Sequence, residues 1–184
     1  MTRLNPRDAM TYADVLVGLQ EDAPEDRLAL LLKLRCRLSK DEWWPLLGLV
    51  WYACNRIGDT RLKLKTALRE AEPEDLRMMM SAPSAAAWDA LPPEFTVYRG
   101  CSAVTRPGLS WSMSRAVAEA YAHQHLDEDP TGTPLVMTGA VNKRFCVLML
   151  DRGEAEVVAW EVWRVGQEVL RLASTEHASK PTPS

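Results

Sequence analysis

Apolar residues recur every three or four positions through the first ninety residues, and at alternate positions afterwards. The first spacing is helical and the second is that of half-buried strands. Pro24-Glu25-Asp26 opens a predicted helix with Leu28, Leu31, Leu32 and Leu38 on one side. Acidic residues at its start and Arg35 and Arg37 near its end suit the helix dipole. Ser39-Lys40-Asp41-Glu42 has the form of a capping box. Behind it Trp43, Leu47, Val50 and Cys54 share one face, flanked by Trp44 and Trp51. Pro45 would fall past the first turn of a helix capped by Ser39, which favours Asp41 as the cap. Gly58 is expected to stop this helix. Thr60–Ala71 and Pro73–Met80 predict two more, and Ser81–Ala87 is either a linker or a short helix.

The pattern changes at Leu91-Pro92-Pro93. Phe95–Tyr98 predicts a strand ended by Gly100, and Leu109–Ser112 a short one after the Pro107-Gly108 turn. Ser114 can cap a helix over Arg115–His125. Asp127–Pro134 reads as a polar loop. Leu135–Val141 and Phe145–Leu150 read as strands joined by Asn142-Lys143-Arg144. Glu154–Trp163 predicts another strand and Glu168–Leu172 a last one. The fold class is therefore α+β: a helical N-terminal part (1–90), a strand-rich core (91–173) and a frayed Ser/Thr/Pro-rich tail (174–184).

Composition narrows this picture. The chain has 184 residues, 47% hydrophobic, enough for one ordinary core without staples. No apolar run approaches the ~20 residues of a membrane span, and the start lacks an apolar signal region. A cytoplasmic location and no membrane partner are expected. Twenty-two Lys and Arg against 25 Asp and Glu exclude nucleic-acid binding by bulk charge. Two local basic clusters, Lys33/Arg35/Arg37 and Arg61/Lys63/Lys65/Arg69, read as solvated faces, so nucleic acid is an unfavoured partner. Cys36, Cys54, Cys101 and Cys146 form no close pair, and His123 and His125 diverge on a helix, so no metal is expected. Cys36, Cys54 and Cys146 sit in apolar runs and are expected in the core.

Three stretches carry chemistry. Arg99 ends a strand and is followed by Gly100, which gives a phosphate-competent guanidinium backbone room at a sheet rim. Ser110-Trp111-Ser112 puts two hydroxyls on one face of a strand. Glu154-Ala155-Glu156 puts two carboxylates on one face, which a sheet keeps most easily in a solvated or cationic cleft. Arg, then Ser-x-Ser, then Glu-x-Glu resembles the Arg–Ser–Glu class of mono-ADP-ribosyltransferases. Tyr98-Arg99-Gly100, the Gly108–Ser112 stretch running into the helix with Ala116, Ala120 and Ala122, and the turn before Glu154 agree with that family. The resemblance covers about Phe95–Leu172 and leaves out the helical part.

The resemblance implies a small split two-sheet core with NAD+ bound as substrate between the sheets, and no metal. It implies a glycosyltransferase-class enzyme, a toxin-like effector of phage or bacterial type. Such an enzyme would pass ADP-ribose to a macromolecular acceptor, most simply a protein, with arginine slightly preferred. Arg99 would hold the NAD+ phosphates, beside Gly100. Ser110 would contact the nicotinamide-side ribose, and Trp111 and Ser112 would support the strand. Glu156 would be the catalytic carboxylate and Glu154 would address the acceptor. Tyr98, Trp111 and Tyr121 are the nearest aromatics able to stack on a ring. Only ten residues separate Arg99 from Ser110, a compact variant whose missing wall the N-terminal helices would supply. The short turn before Glu154 lacks an aromatic for target recognition. The alternatives are an NAD+ glycohydrolase on the same fold, with water as acceptor, and a non-catalytic interaction module.

Overall fold

The computed structural model describes residues 15, 17, 18, 24–53, 57–102, 105, 108–128, 132–150 and 155–170. The tail 174–184 and Glu154 lie outside them. Among the described residues the order is α1 (Pro24–Leu34), α2 (Lys40–Ala53), α3 (Arg61–Arg69), α4 (Pro73–Met79), α5 (Ala82–Ala90), β1 (Glu94–Cys101), β2 (Ser110–Ser112), α6 (Arg115–Glu128), β3 (Leu135–Asn142), β4 (Cys146–Met149), β5 (Glu156–Ala159) and β6 (Trp163–Val169). No helix among them is long and apolar enough to cross a membrane.

The fold is α+β, with the helices first, as the change of hydrophobic period implies. One expectation fails: the strands form a single six-stranded sheet, not two. Its order is β4-β5-β2-β1-β3-β6, with every neighbouring pair antiparallel. The join at its middle is narrow. β1 and β2 share one register pair, Tyr98↔Ser112, whereas β1 and β3 share eight, from Glu94↔Asn142 to Cys101↔Leu135. The three residues of β2 therefore link two three-stranded halves.

The N-terminal helices and the sheet share one apolar cluster. It includes Leu28, Leu31, Leu46, Leu47, Trp51 and Leu64 from the helices, and Val97, Trp111, Leu148 and Val157 from the strands. Ser39 caps α2, contrary to the preference for Asp41: its N–H and hydroxyl both donate to the Glu42 carboxylate, at 3.1 and 2.7 Å. Pro45 consequently sits inside the helix, where it forfeits one main-chain bond. Burial of Trp43, Trp44, Leu46, Leu47, Val50 and Trp51 outweighs that loss. Cys36 is exposed rather than in the core, because a 3₁₀ turn over Arg35–Arg37 interrupts the helical face. Ser81–Ala87 resolves as helix: Ser81 caps α5.

Lys40 at the start of α2 reaches the buried Asp75 of α4, Nζ to Oδ2 at 2.8 Å. Burial raises the Asp75 pKa, but the hydrogen bonds from Lys40 and the Glu72 N–H, with the Lys40 charge, bring it below the ordinary carboxylate value. A depressed folded pKa contributes stability above the unfolded value of about 3.9 and loses it as pH falls through the folded one. Asp75→Asn is therefore expected to lower the thermal midpoint by a few degrees at pH 7. That difference should shrink as the two proteins are melted at pH values below about 4.

Three strand boundaries depart from expectation, one being the last strand, which begins at Trp163 and not at Glu168. β1 runs through Gly100 rather than ending there. The stretch expected as one strand over Glu154–Trp163 divides into β5, ending at Ala159, and β6, beginning at Trp163. Val157, Val158, Ala159 and Trp160 are all buried, so the local pattern is a doubly covered strand and not an alternating one. The chain then crosses to the opposite edge of the sheet to pair with β3. Gly100 is fixed by packing. A Cβ there would lie 1.8 Å from the Ala118 carbonyl oxygen and 2.6 Å from the Ala122 nitrogen of α6. Gly100→Ala is expected to force α6 off the sheet and to cost about 3 kcal/mol, read as a lower urea midpoint.

Candidate active site

The sheet order places the three chemical stretches on three adjacent strands. β2, with Ser110 and Ser112, lies between β1, with Arg99, and β5, with Glu156. Ser112 pairs with Glu156 across one interface and with Tyr98 across the other. Directly opposed residues of antiparallel strands share a face, so Tyr98, Ser112 and Glu156 form one row.

Glu156 opens β5 and is half-buried. Its Oε1 accepts a hydrogen bond at 3.1 Å from the indole Nε1–H of Trp51, which α2 brings in from the helical part. Ser112 is buried, and its hydroxyl accepts from the Ser114 N–H at 3.0 Å. Ser114 in turn caps α6 through the Val117 N–H, at 3.4 Å. Ser112 thus fixes the turn that launches α6.

Arg99, next to Tyr98, leaves β1 on the other face, yet its guanidinium folds back over the end of β2. Nη1 donates to the Ser110 carbonyl at 2.5 Å and Nη2 to the Thr105 carbonyl at 3.0 Å. Gly108 makes the path available: a Cβ there would meet Arg99 Nη2 at 2.2 Å. Burial lowers the Arg99 pKa, while the charges of Cys101 and Glu156 oppose that fall. The buried Arg99 Nε and Trp111 Nε1 have no partner among the described residues.

The structure thus gathers Arg99, Ser110, Trp111, Ser112 and Glu156 around the β1–β2–β5 seam. Gly100 is adjacent, but its want of a side chain serves α6. Tyr121 stands at the surface of α6, 38% exposed. Two cavities lie elsewhere. One of about 330 Å³ sits at the far end of β1, between Glu94, Thr96, Thr138 and Arg164. The other, of about 200 Å³, lies beside α2, between Arg35, Lys40, Trp43, Glu70 and Asp75. Neither is lined by Arg99, Ser110 or Glu156.

Trp51 and Thr105 contact the candidate residues Glu156 and Arg99, and no sequence motif marks either. Trp51 carries the helical spacing of a core residue and is one, 5% exposed. Nothing in that spacing signals that its N–H meets a carboxylate 105 positions later. No protein-family model, no curated protein and no solved structure matches the chain.

Proposed function

We propose that the protein is a mono-ADP-ribosyltransferase, which takes ADP-ribose from NAD+, releases nicotinamide and passes the sugar to a macromolecular acceptor, with arginine on a protein preferred. The observation that carries this reading is the strand order. Arg99 and the Ser110–Ser112 pair lie close in the chain and Glu156 lies 44 positions beyond Ser112, yet all three stand on consecutive strands, with Ser112 opposite Glu156.

The chemistry asks little more of the chain. The bond between nicotinamide nitrogen and ribose C1′ breaks with its electron pair going to nicotinamide, which leaves neutral and needs no general acid. Positive, oxocarbenium-like charge develops on the sugar. A fixed carboxylate beside it lowers that barrier electrostatically. One carboxylate suffices here, whereas an ordinary glycosidase uses two. An acceptor nitrogen then attacks C1′ and gives up a proton, a step for which Glu154 is the candidate. Arg99 would frame the seam through the Ser110 and Thr105 carbonyls, with its Nε as the donor left over.

NAD+ labelled in its adenylate part tests the reading. Nicotinamide release with label fixed to protein is the expected result. Release with free ADP-ribose alone would identify a glycohydrolase. No release would leave the interaction-module alternative.

A further inference from the structure

We propose that Trp51 is a positioning residue for the Glu156 carboxylate, so that the helical part contributes directly to the reactive centre. The proposal rests on the transferase reading above and adds to it a residue that none of the three motifs contains.

Buried indole N–H groups need acceptors, and two others in the helical part find main-chain ones. Trp43 Nε1 donates to the Leu31 carbonyl at 3.2 Å. Trp88 Nε1 donates to the Cys146 carbonyl at 3.0 Å and is shared with that of Lys143 at 3.1 Å. Trp51 differs: its N–H meets an ionisable side chain on the first residue of β5. The two partners are also unequal in freedom. Trp51 is 5% exposed on the rigid α2, packed into the shared core. Glu156 is half-buried and has three side-chain torsions to fix. The bond therefore transfers order from the indole to the carboxylate. It engages Oε1, leaves Oε2 out of that contact, and sets the carboxylate plane before any ligand arrives. A donor placed this way acts on the chemical step, because the carboxylate serves only at the geometry where it faces the developing charge.

Trp51→Phe removes the N–H and keeps the ring. Its kcat for nicotinamide release should fall about tenfold to a hundredfold, with KM for NAD+ little changed. Trp43→Phe is the matched control. It deletes an indole bond in the same helix and should lower the melting temperature while leaving kcat alone. In a Glu156→Gln background Trp51→Phe should add no further loss, since the two act as one unit. A wild-type kcat in Trp51→Phe, or an equal loss in Trp43→Phe, overturns the proposal and leaves the transferase reading standing. Absence of nicotinamide release by the wild-type protein overturns the transferase reading, and this proposal with it. A further measurement needs no Trp51 variant. In protein labelled with ¹⁵N-indole tryptophan, Glu156→Ala should move the Trp51 N–H resonance upfield and leave those of Trp43 and Trp88 in place. An unmoved Trp51 resonance overturns the contact itself.

Discussion

Glu156→Gln is expected to reduce nicotinamide release about 10²–10³-fold while the protein folds normally. The substitution keeps shape and volume and removes one negative charge. Its amide oxygen can still accept from Trp51, and the main-chain pairs of residue 156 with Ser112 and Met149 do not involve the side chain. The carboxylate is half-buried, so losing its charge should move the urea midpoint little. On the transferase reading the charge matters in the transition state, where the ribose would turn cationic beside it. A neutral amide presents only a dipole there, and its NH₂ end is repelled. The loss should therefore fall on kcat and leave KM for NAD+ nearly constant. Full turnover by Glu156→Gln would remove this residue from the chemistry and with it the basis of the transferase reading.

What the sequence could reveal follows the range of the interactions. β1, β3 and β4 lie within about a residue or two of where alternation and the flanking turns place them, because those signals are local. Ser114 before α6 and Ser81 before α5 are equally local, being caps whose partners lie three residues on. The order of the strands is not local. Ser112 meets Glu156 across 44 positions, and nothing in either stretch names the other. The three motifs lie on neighbouring strands, and no pattern in the residues themselves signals that adjacency. The division of β5 from β6 was hidden for a related reason. Burial of both faces from Val157 to Trp160 depends on helices more than sixty residues upstream, which no local window contains. Cys36 shows the converse error: an apolar neighbourhood implied burial, and a local 3₁₀ turn turned the residue out.

Removing residues 1–90 is expected to abolish cooperative folding of the remainder. β4 is an edge of the sheet, and the helical part closes that edge. The Leu148 N–H donates to Met80 Sδ at 3.4 Å, the Leu150 N–H to Ser84 Oγ at 3.1 Å, and the Cys146 carbonyl accepts from Trp88. Alternate main-chain groups of one strand thus turn outward onto helical side chains, which blocks pairing with another chain. In the fragment water would replace those partners, so the hydrogen bonds alone decide little. Apolar exposure decides more. Val147, Leu148, Met149, Val157 and Val158 have no exposure and share a cluster with Leu46, Leu47 and Trp51. Uncovering a fully buried side chain of this size costs about 1.5–3 kcal/mol. Four such residues match the whole stability of an ordinary domain, about 5–15 kcal/mol. A fragment of residues 91–184 should therefore show no sigmoidal urea transition and no dispersed amide spectrum, and should associate through β4. Supplying the helical part in trans should restore both signals if the two pieces meet as they do in the intact chain. A fragment that melted cooperatively without it would show that the strands carry their own core, and that the helices are a cover added to a finished fold.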